Sequence, residues 1–266
     1  MKLSRKQENV NFEQLKKIAR NIRINSFTML SNVRASHLGS SLSCADILAV
    51  LYGKIMNIKR DVFILSKGHA IAAQYCAMEQ VGIISSAELD NAFKDDSLMW
   101  GCGSHKFSGI KVSTGSLGHG LGMGVGIAQA YKMNNKKNKV FVVLGDGECD
   151  EGSVWEAVML AARLELDNLT IIVDKNDAQA SDKRCNILNL NLYNIFKAFG
   201  CAVEDCDGHN LEALVAAFFK TAEKCPKVII AQTIKGKGVS FLENVNIIPG
   251  GLTGADIAAG KEELLK

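Results

Sequence analysis

The sequence predicts an α/β fold: a doubly wound, mainly parallel sheet flanked by helices. Two observations carry this. From Lys139 onward, four short apolar runs rich in β-branched residues (KVFVVLGD, LTIIVDKN, CAVEDCDG and KVIIAQTI) alternate with helical stretches at 152–166, 191–199 and 210–224. Buried parallel strands joined by crossover helices have this pattern. The composition fits: 266 residues, 47% apolar and with only 2 Pro, provide enough chain for a real core. No internal repeat or low-complexity segment interrupts it, and the expectation is one domain over 1–266.

Taken in order, residues 9–33 form an N-terminal helical segment, because Phe12, Leu15, Ile18, Ile22, Ile24, Phe27 and Leu30 recur at spacings of two to four with basic residues between. SCADILAVLYGKIMN, residues 43–57, reads as a second helix capped by Ser43, and a third is expected near 68–82. Between 100 and 128 lie nine of the 24 glycines, as in loops that hug a ligand, before the chain turns helical toward Tyr131. The strands and crossovers follow, and residues 255–266 form a helical tail.

Charge excludes some functions. Lys and Arg number 31 against 28 Asp and Glu, a net of +3, which gives no field for nucleic acid or an anionic membrane. The eight cysteines are scattered without a C-x-x-C, so neither a zinc site nor a disulfide framework is supported, and a reducing cytoplasm is expected. The N-terminus has no apolar h-region, and no apolar run approaches the ~18 residues of a membrane span.

The chemistry-bearing residues cluster at strand ends. Gly145-Asp146-Gly147-Glu148 closes the strand KVFVVL, and Asn176 closes LTIIVDK 30 residues after Asp146, so both fall at carboxyl ends of strands expected to be adjacent. An Asp carboxylate and an Asn carbonyl are hard oxygen donors suited to Mg²⁺ or Ca²⁺, and glycines let the backbone approach phosphate oxygens sharing the metal. A GDG alone is equally a β-turn; its spacing from a second strand end favours a metal-bridged diphosphate.

GDGECDEGSVWEAVMLAARLELDNLTIIVDKN resembles the thiamine-diphosphate motif in its transketolase form. The resemblance continues through SHLGSSLSCADILAVLY, FILSKGHA, STGSLGHGLGMGVGIA, VEDCDGHN and IIAQTIKGKGVSF in family order, and covers the family's first, diphosphate-binding (PP-type) domain. It implies thiamine diphosphate as cofactor with Mg²⁺ (or Ca²⁺ or Mn²⁺), held by the Asp146 and Asn176 side chains and the Ala178 carbonyl. Gly145, Gly147 and Asn176 would meet the diphosphate, Gly115, Ser116 and Leu117 the aminopyrimidine, and Ser40, Lys67 and His69 the cofactor elsewhere. A loop histidine by itself is usually a solvated or capping residue, but the resemblance makes His37, His69 and His105 catalytic, positioning the substrate and moving protons near neutral pH. Glu151 matches a glutamate at a dimer interface, although a carboxylate favoured by a helix N-terminus explains it almost as well. His209 is expected to fix a strand-to-helix turn.

The implied reaction moves a two-carbon ketol unit from a ketose phosphate to an aldose phosphate, with the cofactor carrying the chemistry. Three departures stand out: Gln232 where the full-length animal-like pattern has a Lys on the diphosphate, Ile248-Pro249-Gly250-Gly251 where it has WHGK, and His119 where it has Gln. Lys235 or Lys237 could compensate. Because the family's second domain supplies a glutamate to the aminopyrimidine and this sequence does not show one, a separately encoded pyrimidine-binding subunit is the expected partner, in a heterotetramer where this chain also self-associates. The competing readings are the α subunit of a 2-oxo acid dehydrogenase, a deoxyxylulose-phosphate synthase, and a degenerate cofactor-binding or regulatory subunit. WEA after GDGECDEGSV, SKGHA and GSLGHG argue against the first; the second normally carries all its domains in one chain; the intact Asp146, Asn176, His37, His69 and His105 argue against the third.

Overall fold

The four apolar runs after Lys139 are strands, and a fifth joins them. The computed structural model describes residues 10–33, 37–179, 181–246 and 251–266. Strands β1 (Val62–Leu65), β2 (Val140–Gly145), β3 (Leu169–Lys175), β4 (Ala202–Asp207) and β5 (Lys227–Gln232) form one sheet in the order β1-β2-β3-β5-β4. Every pair in it is parallel. The sequence pattern shows no strand before Lys139, because four apolar residues are too few for a period to separate strand from helix.

Side chains alternate along each strand and so divide between two faces. Phe63, Leu65, Phe141, Val143, Ile172, Ile229 and Ala231 enter one core cluster. Helices α1 (Phe12–Asn32), α3 (Ala45–Val50), α4 (Ile71–Gln80) and α9 (Leu211–Phe219) contribute to it. Ile64, Val142, Leu144, Ile171, Val173, Val228 and Ile230 enter the other, under α6 (His119–Met133), α7 (Gly152–Arg163) and α8 (Leu192–Ala198). Each fully buried Val, Leu or Ile contributes about 1.5–3 kcal/mol, so covering both faces is what makes a parallel sheet stable. At the far edge β4 is only half-buried and carries Glu204, Asp205 and Asp207, charges that discourage further strand addition.

Helix α1 starts where Asn11 and Gln14 form a reciprocal capping box. The expected helix at 43–57 is corrected: α2 (Leu38–Ser43) and α3 are separate short helices broken at Cys44, and a π-helical turn, Leu51–Ile55, follows. Ser43 ends α2 instead of capping the next helix. Its hydroxyl donates to the Ser40 carbonyl at 3.1 Å and to Asp174 at 2.6 Å. The crossover at 210–224 stops at Phe219, and Lys227 on β5 donates to the Ala217, Phe218 and Lys220 carbonyls at that helix end. Helix α5 (Ser86–Leu89) and the tail helix α10 (Gly254–Leu265) complete the chain.

The second half of the glycine-rich 100–128 segment packs a helix onto the sheet. In α6, a Cβ at Gly120 would stand 2.6 Å from Ser66 Cβ, and one at Gly124 would stand 2.6 Å from Val142 Cγ2, so these glycines let the helix seat against β1 and β2. All eight cysteines are free thiols. Among the described residues no helix is long and apolar enough to cross a membrane. The Ile248-Pro249-Gly250 stretch lies outside the described residues.

Candidate functional site

The carboxyl ends of β1, β2, β3 and β5 converge on one buried network. Asp174, on β3 opposite Gly145 of β2, is wholly buried. Its carboxylate accepts from the Lys67 ammonium just past β1, from the Ser43 hydroxyl and from the Thr233 hydroxyl just past β5. Burial alone would raise the Asp174 carboxyl, but the Lys67 charge and these donors hold it below the usual carboxylate range. Burial likewise pushes the Lys67 ammonium down, and Asp174 more than offsets it. Lys67 also donates to the Ser40 carbonyl at 3.0 Å, so two of its three donors are used inside the protein.

The expected adjacency of the two strand ends holds. Asp146 is 1% exposed and accepts the Gly147 N–H at 3.0 Å and the Asp177 N–H at 2.7 Å. The second bond depends on Asp177 taking a left-handed φ of 55°, which folds the chain back after Asn176. Asn176 Oδ1 accepts the Ala178 N–H at 3.2 Å, and Ala178 pairs with Lys183 in a short antiparallel bridge. Burial and the nearby Asp174 charge raise the Asp146 carboxyl to about 6, and among the described residues no cationic side chain pairs with it. A sealed carboxylate without a cationic partner, tied by the Asp177 N–H to the turn that carries Asn176 and Ala178, brings together residues whose oxygens suit a hard divalent cation. The side chain of Gln179 occupies the space a Cβ of Gly147 would fill. The N–H groups of Gly145 and Gly147 are bonded inward, to Glu148 and Asp146.

Two histidines come together. His37, at φ 74° before α2, and His69, in a 3₁₀ turn after β1, lie with ring centroids 5.1 Å apart and ring planes tilted by 49°. Burial, then the Lys67 charge and the neighbouring His37, lowers His69 to about 3; burial and Lys235 lower His37. Both imidazoles are therefore neutral at pH 7. His105 is held separately, with Nδ1 2.7 Å from the Ser113 hydroxyl. The loops nonetheless touch: a Cβ on Gly68 would lie 3.0 Å from Thr114 Oγ1 and 3.1 Å from the Gly115 nitrogen, and Thr114 N–H donates to Gly103. So the segments bearing His105 and Gly115-Ser116-Leu117 pack beside the turn that bears His69. Exposed Glu151 begins α7, and its Cβ lies 2.8 Å from where a Gly118 Cβ would be. His209 bridges elements: Nδ1 is 2.7 Å from Asp46, and Nε2 accepts the Ile234 N–H.

Sequence reasoning passed over three groups. Glu148, in the same turn as Asp146, is buried and accepts from the Ser66 hydroxyl, Gly118 N–H and Gly145 N–H; burial raises its carboxyl. Arg184 is buried behind Asp146, donating to its carbonyl, to Leu190 and to Asp150. Asp174 is the third. An acidic residue inside an apolar run, as in LTIIVDK, was the available signal for it, because a buried carboxylate needs a partner.

Residues 14–264 match the family described as "Transketolase, thiamine diphosphate binding domain". The chain belongs to the transketolase family. Among its relatives, an apulose-4-phosphate transketolase subunit from Phocaeicola vulgatus is 38% identical over 223 residues, covering 80% of this chain and 79% of that protein. The 6-deoxy-6-sulfo-D-fructose transketolase subunit SqwG of Clostridium sp. is 37% identical over 226 residues, covering 80% of this chain and 82% of that protein. The crystal structure of transketolase from Campylobacter jejuni superposes with a TM-score of 0.86 at 29% identity, covering 96% of this chain and 43% of that one. The chain thus spans under half of that full-length transketolase and most of the proteins named as subunits. The resemblance in the motifs and the thiamine-diphosphate-binding fold are both established.

Proposed function

We propose that this chain is the diphosphate-binding subunit of a two-component transketolase, working with a separately encoded pyrimidine-binding subunit to move a ketol unit from a ketose phosphate to an aldose phosphate. The observation that carries this reading is the contact of the Asp146 carboxylate with the Asn176–Ala178 turn, at adjoining strand ends of one parallel sheet, together with two neutral, neighbouring histidines, His37 and His69. Asp146, Asn176 and the Ala178 carbonyl hold Mg²⁺, with Ca²⁺ or Mn²⁺ as substitutes, and the turns at Gly145 and Gly147 border the diphosphate. Ser40 and Lys67 support it from the other side, and Gly115, Ser116 and Leu117 border the aminopyrimidine. Thiamine diphosphate, when bound, supplies the carbanion chemistry that cleaves and re-forms the carbon–carbon bond.

The protein's contribution is placement and proton control. His37 and His69 carry no charge at pH 7, so each ring has one nitrogen that donates and one that accepts, and can orient a hydroxyl or pass a proton without first losing one. Ser113 fixes Nδ1 of His105 and leaves Nε2 for a ligand. The donor is a ketose with a terminal anionic group, in keeping with the names of the two subunit relatives, within carbohydrate metabolism and in the cytoplasm. For the heterotetramer, α6 and α7 leave Met123, Met159 and Leu160 exposed, and Glu151 stands at the start of α7, where a second copy would meet it.

The test is to co-purify the chain with the product of its candidate partner gene, then to assay ketol transfer from several ketose phosphates, with and without Mg²⁺ and thiamine diphosphate. Transfer only in the complete mixture is expected. Oxidation of 2-oxo acids with an artificial electron acceptor would replace this reading with the dehydrogenase one, and cofactor binding without either activity would make the chain a non-catalytic subunit.

A further inference from the structure

The turn that follows β3 is held against the turn that follows β2 by a side chain sealed from solvent. Arg184 is 2% exposed, and each nitrogen of its guanidinium has an acceptor on a different stretch of chain. Nε donates to the Asp146 carbonyl at 3.2 Å, Nη1 to the Leu190 carbonyl at 3.0 Å and Nη2 to Asp150 Oδ1 at 3.3 Å. Its own backbone N–H donates to the Asp177 carbonyl at 2.9 Å, one residue beyond Asn176. Asp150 takes a second donor from the same turn, Gln179 Nε2, at 2.5 Å from Oδ2. Gln179 N–H in turn donates to the Asp182 carbonyl at 2.9 Å.

Asn176 and Ala178 therefore sit on a turn tied down twice: by Asp177 N–H on the Asp146 carboxylate, and by Arg184, whose guanidinium holds the Asp146 backbone while its own backbone holds Asp177. A planar guanidinium fork serves three diverging acceptors, which a single ammonium on a flexible stem does not match. The Arg184 and Asp150 side chains are 2% and 15% exposed. An ion pair this buried need not add net stability, and its better use is to fix one arrangement over others. The arrangement fixed here keeps Asn176 and Ala178 beside Asp146. Because the guanidinium nitrogens all face protein acceptors, Arg184 acts through these residues and not on a ligand.

We propose that Arg184 is a positioning residue, a latch that fixes the turn bearing Asn176 and Ala178 on Asp146 before any cation arrives. The inference rests on the reading of these residues as the cation and diphosphate site. It is tested with Arg184→Met in the full chain, by amide hydrogen exchange of the ligand-free protein and by calorimetric titration with thiamine diphosphate in Mg²⁺. In the unaltered, ligand-free chain the Asp177, Gln179 and Arg184 amides should be protected. The variant is expected to speed their exchange at least about 10-fold while the β2 and β3 amides keep their protection, a local opening and not a global one. It should also weaken Mg²⁺-dependent binding about 10- to 100-fold, as for other residues that orient metal ligands. Arg184→Lys, which keeps a charge but loses the fork, takes its place if the Met variant does not fold. Unchanged affinity in a folded variant overturns the proposal alone, as do unprotected turn amides in the unaltered chain. Protection lost equally at β2 and β3 would make Arg184 a general structural residue and also overturns it. Absence of Mg²⁺-dependent binding to the unaltered chain overturns the underlying reading as well.

Discussion

Replacing Asp174 by Asn probes the base of the site most directly. Lys67 and Asp174 are 1% and 0% exposed, so the Asn variant keeps the shape but leaves an ammonium buried with no counter-charge. Breaking such a pair from one side costs about 3–5 kcal/mol. The Ser43 and Thr233 hydroxyls also lose a charged acceptor, which places Asp174→Asn at the upper end of that range. For a chain of this size each kcal/mol is worth roughly 2–4 °C in Tm, so a fall of about 10 °C or more is expected by circular dichroism or calorimetry at pH 7. Lys67→Met alone should also destabilise, by stranding the carboxylate. The double variant Lys67→Met/Asp174→Asn should lose clearly less than the two single losses combined, because neither charge is then left alone. A drop below about 1 kcal/mol for Asp174→Asn, or strict additivity in the double variant, would refute the buried pair as the structural base of the site.

Asp146→Asn should stabilise the ligand-free chain at pH 7 and abolish Mg²⁺-dependent diphosphate binding. An acid whose folded-state pKa is raised from 3.8 to about 6 subtracts stability as pH climbs through that window, by at most about 3 kcal/mol, so the gain should vanish near pH 4, as thermal melts at the two pH values will show. His69, lowered to about 3, takes up its proton only in the unfolded chain between there and 6.5; its stabilising contribution is complete above 6.5 and shrinks as pH falls toward 3. Imidazole resonances followed by NMR should show no His69 titration near pH 6.5, and a midpoint there would exclude the buried neutral form. Gly120→Ala should cost about 1–3 kcal/mol by overpacking on Ser66. Gly122→Ala and Gly126→Ala, where a Cβ meets nothing within 4 Å, should each add up to about 1 kcal/mol through helix propensity. Loss of association in sizing experiments with the latter pair would mark that face of α6 as an interface.

The main sheet strands and the Asp146–Asn176 juxtaposition were legible because apolar runs with terminal Gly-Asp or Asn encode both strand and strand end. Strand β1 was not, since FIL carries too little pattern, and neither was the break at Cys44, because SCADILAVLY has one continuous helical period while the bend follows from Ser43 bonding to Asp174 on another element. The same limit hid Glu148, Asp174 and Arg184, whose roles come entirely from partners distant in sequence. Conversely, Lys67 was marked by motif as a cofactor contact, yet most of its bonding capacity is used on Asp174 and Ser40.

Glu148 gathers Ser66, Gly118 and Gly145 on one carboxylate, and its bond to Ser66 closes a span of 82 residues. Loops of that length give no return on their closure entropy until both ends are already ordered. The turn after β2 can form locally, but the β1 end and the glycine loop reach their places only once the edge strand has docked. Completion of the binding surface is thereby tied to docking of the edge strand and not to the local turn after β2 alone.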